Sequence, residues 1–157
     1  MEQSNSCNPS VAKTMRHELV HLVASVVLAF VLGIYFGNYL VGLWAFSLCM
    51  FLDGDHLFDY GLYILKTNKN FDLKEFLSGS YFADWKKFIT PLHSWEMVIV
   101  FAVIYFFSAE PFFIATSLAL AIHYFVDYFT NDVNKKAYFL FYRARHKFAK
   151  ASIRKDF

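Results

Sequence analysis

LVHLVASVVLAFVLGIYFGNYLVGLWAFSLCMFL, the 34 residues from Leu19 to Leu52, contains no Asp, Glu, Lys or Arg. As one helix it would extend about 51 Å at 1.5 Å per residue, against a bilayer hydrocarbon core of about 30 Å. The run must therefore fold back on itself, and Gly37-Asn38 near its middle is the turn signal. A second apolar run extends from Met97 to Val126, broken only by Glu110-Pro111, another turn signal. Two hairpins make four helices. Each is short if it stops at the first charge, so the helices are expected to continue through their flanking charges.

Composition supports the same reading. The chain has 157 residues, 57% hydrophobic, 21% aromatic and 18% charged, with 20 Phe. That is one domain's length carrying more apolar surface than a small water-facing domain can hide, and it excludes intrinsic disorder. The expected fold class is all-α: a polytopic membrane protein, a four-helix transmembrane bundle over residues 17–132. A polar tail (1–16) precedes it, a cytoplasmic interfacial segment (57–91) is inserted, and a basic amphipathic C-terminal tail (133–157) follows. All fifteen Lys and Arg lie near the N-terminus (Lys13, Arg16), in the central segment (Lys66 to Lys87) or in the tail from Lys135. The hairpin tips carry none, so both termini are expected to be cytoplasmic, in an inner or plasma membrane. Aromatic residues beside Lys in the central segment suit the headgroup region. The basic tail is expected on anionic lipid rather than on nucleic acid. No cleavable signal peptide and no disulfide between Cys7 and Cys49 are expected.

Five of the six histidines fall where an apolar run meets the cytoplasmic side. His17 and His21 open the first helix; Asp53, Asp55 and His56 (L-D-G-D-H) close the second; His93 opens the third; His123 and Asp127 close the fourth. In an up-down bundle these ends share one level. His123 and Asp127, four residues apart on a helix, share a face, and ionisable groups at membrane depth turn inward and require compensation. Imidazole with carboxylate is the ligand set of zinc, manganese or non-haem iron. The candidate ligands are His21, Asp53, Asp55, His56, His93, His123 and Asp127, holding one or two divalent ions, expected as Zn or Mn. Asp53 and Glu96 are the candidate catalytic bases. His17, one turn before His21, is left outside the set as an exposed neighbour, and the role of Glu18 stays open.

His17-Glu18-Leu19-Val20-His21 also fits H-E-x-x-H, the zinc-protease pattern with Glu as base. Together with Leu52-Asp53-Gly54 it offers an alternative, a site-2-type intramembrane zinc protease. That alternative leaves His56, His93, His123 and Asp127 unused. A second alternative is a non-enzymatic membrane protein that binds metal or assists assembly.

The order of motifs resembles the bacterial membrane-bound metal-dependent hydrolase family, which includes the LexA-regulated inner-membrane hydrolases. The matching positions are His21 in V-H-L-V-A-S, Asp53-Gly54-Asp55-His56, His93-Ser94, and His123 to Asp127 followed by Thr130, across residues 17–132. The chain departs from the family pattern at Leu52 (Pro in the family), at Leu92 (Thr), and at Lys86-Lys87-Phe88, where the family has H-R-G. The resemblance implies a metal-dependent hydrolase. The expected substrate is a phosphoester or related bond of a lipid or amphiphile at the cytoplasmic face, because a site at headgroup depth beside basic residues meets phosphate groups first.

Overall fold

The computed structural model describes residues 9–131, 133–149 and 151. Cys7, most of the polar N-terminal tail, and Lys150, Arg154 and Lys155 of the C-terminal tail lie outside the described residues. The described chain is helical and contains no strand; an isolated antiparallel bridge pairs Lys87 with Ala149.

Helix α1 (Pro9–Tyr35) ends where Gly37 adopts φ +58°, a left-handed conformation that favours glycine. Asn38 then caps α2 (Tyr39–Phe51), its side chain accepting from the Leu40 backbone N–H. The charges of L-D-G-D-H do not end the helix in a loop. The chain tightens into a 3-10 turn, Leu52–Asp55, and runs directly into α3 (His56–Thr67). Together these form one 29-residue apolar path, Tyr39–Thr67. A left-handed Asn68 closes α3, and the short α4 (Leu73–Ser78) follows, capped by Asp72. After a loop come α5 (Trp95–Ser108) and α6 (Pro111–Thr130). The turn between them is built from left-handed Ala109 and from Pro111 in the first turn of α6, where a missing N–H costs nothing. The last element is the short α7 (Leu140–Arg145).

Among the described residues three helical segments are long and apolar enough to cross a membrane: Arg16–Tyr35, Tyr39–Thr67 and Pro111–Thr130. Helix α5, with 14 residues, is shorter, and none of its residues is buried. Its outward face includes Phe106 and Phe107, 81% and 82% exposed, a surface suited to lipid rather than water. Inside, Leu28 and Leu32 of α1 meet Val41, Ala45 and Cys49 of α2 and Ala115 and Ala119 of α6. Small residues let the backbones approach: a Cβ on Gly42 would lie 2.4 Å from the Ala29 carbonyl oxygen. Polar ties join the helices as well, with Trp44 donating to Thr116 Oγ1 (2.9 Å) and Ser117 Oγ to the Val98 carbonyl (2.8 Å).

Beyond the 3-10 turn, Tyr60, Tyr63, Tyr81 and Trp85 form a separate aromatic cluster. Buried Asp59 links α3 to the following loop, accepting from Trp85 Nε1 (2.8 Å) and the Ile89 N–H (3.0 Å). The C-terminal segment folds back over that loop. Tyr138 joins the core beside Leu52, Leu120 and Tyr124, and Arg143 is fully buried.

Candidate metal centre

Helix geometry places the first donors. His17 and His21 stand one turn apart on α1, and His123 and Asp127 one turn apart on α6, so each pair shares a face. The packing of α1 against α6 turns these faces together. His21 Nε2 lies 3.1 Å and His17 Nε2 3.7 Å from Asp127 Oδ1. The 3-10 turn delivers Asp53 from the end of α2, and the loop before α5 delivers His93. Asp53 Oδ1 lies 3.2 Å from His93 Nε2 and 3.6 Å from His123 Nε2. Asp127 Oδ2 closes this side at 3.6 Å from His123 Nε2 and 4.0 Å from His93 Nε2.

The far sides of the imidazoles are held. His123 Nδ1 lies 2.8 Å from the Cys49 carbonyl; a carbonyl only accepts, so Nδ1 carries the proton and Nε2 faces the cluster. That Nε2 is buried without a hydrogen-bond partner. Thr130 Oγ1 donates to the Val126 carbonyl (2.9 Å) and so accepts from His17 Nδ1 (2.8 Å), leaving His17 Nε2 toward Asp127. Asp55 stands behind His93, its Oδ1 2.9 Å from His93 Nδ1, while its Oδ2 accepts from the Leu92 N–H. Neither the Asp55 Oδ1 nor the His93 Nδ1 has an aligned hydrogen bond. A carboxylate behind an imidazole is the usual outer partner of a ligating histidine. Burial works against protonation of His93, but the carboxylates of Asp53 and Asp55 outweigh it and push its pKa up to about 9.

The loop bearing His93 is clamped from the C-terminal segment. Arg143 Nη1 donates to the Thr90 carbonyl (2.8 Å) and to Thr90 Oγ1 (2.7 Å), and Nη2 donates to the His93 carbonyl (2.8 Å). Phe88 N–H donates to the Phe148 carbonyl at 2.9 Å beside the Lys87–Ala149 bridge.

Of the sequence-derived ligands, Asp53, His93, His123 and Asp127 form one group whose ligand atoms lie within 4.8 Å of one another. Asp55, His56 and His93 form a second such group, and His21 falls in a third with His17 and Asp127. These groups can hold a metal ion, and the unpartnered His123 Nε2 and the mixed imidazole–carboxylate donors fit one. Glu96 is elsewhere: its carboxylate accepts from the Leu140 and Phe141 N–H groups (2.9 and 3.0 Å) and caps α7. Glu18 is exposed. His17, left out of the sequence-derived set, joins it; its spacing of four from His21 was the available signal. The role of Arg143 had no local signal, since in sequence it is one basic residue among several.

A cavity of about 200 Å³ opens onto the cluster. Asp53, His56, His93 and Asp127 form its polar wall, and Phe88, Val133, Ala137 and Tyr138 its apolar wall. Among the described residues no Lys or Arg lines it. The chain matches no family model, no curated protein and no solved structure.

Proposed function

We propose that this protein is a membrane-bound metal-dependent hydrolase acting on a phosphoester or related bond of a lipid or amphiphile at the cytoplasmic face. The observation that carries the reading is the convergence of Asp53, His93, His123 and Asp127, drawn from three separate parts of the chain, beside a cavity with an apolar wall. In this reading α5 is the fourth crossing segment of a bundle of two hairpins. The distribution of Lys and Arg supports cytoplasmic termini, and the order of motifs resembles that of the membrane-bound metal-dependent hydrolases.

Asp53, His93, His123 and Asp127 would hold a divalent cation, Zn or Mn by donor type. Such a cation, when bound, polarises the scissile group and lowers the pKa of water toward neutrality. The chain's own groups do the rest. Asp53 is half-exposed to the cavity, where its carboxylate takes a proton from an approaching water. His56 lines the same wall, its Nε2 3.9 Å from Asp53 Oδ1, placed to deliver a proton at Nε2 to the departing oxygen. Phe88, Val133, Ala137 and Tyr138 receive apolar parts of the substrate and exclude bulk water. Glu96, engaged by two backbone N–H groups, serves structure. The cavity supplies the open approach that a purely structural metal clasp lacks.

The test is metal analysis and phosphodiesterase assay of detergent-purified protein, using a chromogenic phosphodiester and mixed phospholipid vesicles. Wild type is expected to carry stoichiometric divalent metal and to hydrolyse at least one probe. His123→Ala should lose more than the roughly 10–100-fold typical of an outer-partner substitution. Wild-type protein without bound transition metal, or an active metal-free His123→Ala, refutes the reading.

A further inference from the structure

The two oxygens of Asp127 face different sets of imidazoles. Oδ1 lies 3.1 Å from His21 Nε2 and 3.7 Å from His17 Nε2. Oδ2 lies 3.6 Å from His123 Nε2 and 4.0 Å from His93 Nε2. Ligand atoms about 2.1 Å from a single ion lie at most about 4.2 Å apart, so one ion does not serve donors spread more widely than that. Among the described residues the donors form three groups, Asp53–His93–His123–Asp127, His17–His21–Asp127 and Asp55–His56–His93; the first two share Asp127, and the first and third share His93.

We propose that the centre is built for two cations bridged by the Asp127 carboxylate, the second held by His17, His21 and Asp127 Oδ1. This rests on the metal-dependent reading above and deepens it. An independent observation is the state of the two α1 imidazoles. His21 is 2% exposed, and its Nδ1 has no hydrogen-bond partner. His17 is aimed at Asp127 by the hydroxyl of Thr130. The two rings lie 4.5 Å apart between centroids. A cation takes a lone pair from each at once. With three protein donors against four, the second position is the weaker and more exchangeable one. Two cations about 3.5–4 Å apart suit in-line displacement at phosphorus, in keeping with the phosphoester class proposed above.

The probe is Mn²⁺ alone, added to chelator-stripped full-length protein in detergent and read by equilibrium dialysis and electron paramagnetic resonance. Wild type is expected to bind two equivalents, with spectra of an exchange-coupled pair at saturation. His17→Ala and, separately, Thr130→Val should keep the tight equivalent, weaken the second by roughly 10–100-fold, and lose the coupled signal. Thr130→Val leaves both imidazoles in place, so it remains informative if His17→Ala fails to fold. One equivalent in wild type, without coupling at saturating Mn²⁺, overturns the two-cation proposal and leaves a single-metal hydrolase standing. No bound Mn²⁺ at all, with no Zn²⁺ recovered on reloading, overturns both.

Discussion

Replacing Arg143 by Ala removes the guanidinium that holds the Thr90 and His93 carbonyls at 2.8 Å each and the Thr90 hydroxyl at 2.7 Å. Arg143 is fully buried, so water does not readily replace it. Each orphaned buried carbonyl costs about 1–3 kcal/mol, or about 2–6 kcal/mol for the pair. The loop relieves that cost by moving, and the moving part carries His93. The metal centre should therefore weaken by about 10–100-fold, the range for losing an outer partner of a ligand, although residue 143 touches no ligand side chain. Arg143→Lys keeps the charge but lacks the planar fork that spans two carbonyls, so it should recover stability more fully than metal affinity. The assay is competitive Zn²⁺ titration against a chelator of known affinity, with the apparent melting temperature in detergent measured alongside. A purely structural role would lower melting in proportion to affinity across the Lys and Ala variants. Wild-type affinity in folded Arg143→Ala would refute the clamp.

Gly42→Ala places a methyl 2.4 Å from the Ala29 carbonyl oxygen; separating α1 from α2 should cost about 1–3 kcal/mol. A lowered melting temperature with unchanged metal stoichiometry checks it, and an unchanged melting temperature counts against the close approach. Glu18→Gln should leave activity largely intact, since Glu18 is exposed; abolished activity with retained metal would favour the H-E-x-x-H protease instead. The pKa of His93 is raised to about 9 in the folded protein, above about 6.5 for a free imidazole. Its protonation thus stabilises metal-stripped protein fully below about pH 6.5, and that stabilisation is lost as pH rises through about 9. Thermal scans of stripped protein should show melting falling across this window, and added Zn²⁺ should abolish the fall. Melting that rises instead would contradict the carboxylate environment of His93.

Much of the His/Asp cluster was legible in the linear chain because buried charge is expensive. An Asp at the end of an apolar helix needs a partner, which is why Asp53, Asp127 and the nearby histidines stood out before any fold was known. The individual roles were not legible. Asp55 and Asp53 are two residues apart, yet one stands behind His93 at Nδ1 and the other faces its Nε2. Glu96 follows His93 by three residues, yet caps α7. Helix phase within a 3-10 turn and the path of a loop decide such differences, and neither has a hydrophobic period to read.

The sequence by itself determined the all-helical, membrane-compatible class and the sites of reversal at Gly37-Asn38 and Glu110-Pro111. These follow from local terms: uncharged length, a glycine able to turn left-handed, and a proline suited to a helix start. Only the tertiary structure decided that His17 belongs to the cluster, that both oxygens of Asp127 are engaged, and that Arg143 is buried beneath the loop it holds. His21 and Asp127 are 106 residues apart in the chain and 3.1 Å apart in space. That closeness depends on how α1 and α6 are rotated against each other, and rotation is settled by the joint packing of Leu28, Ala45, Cys49 and Ala119 rather than by any one segment.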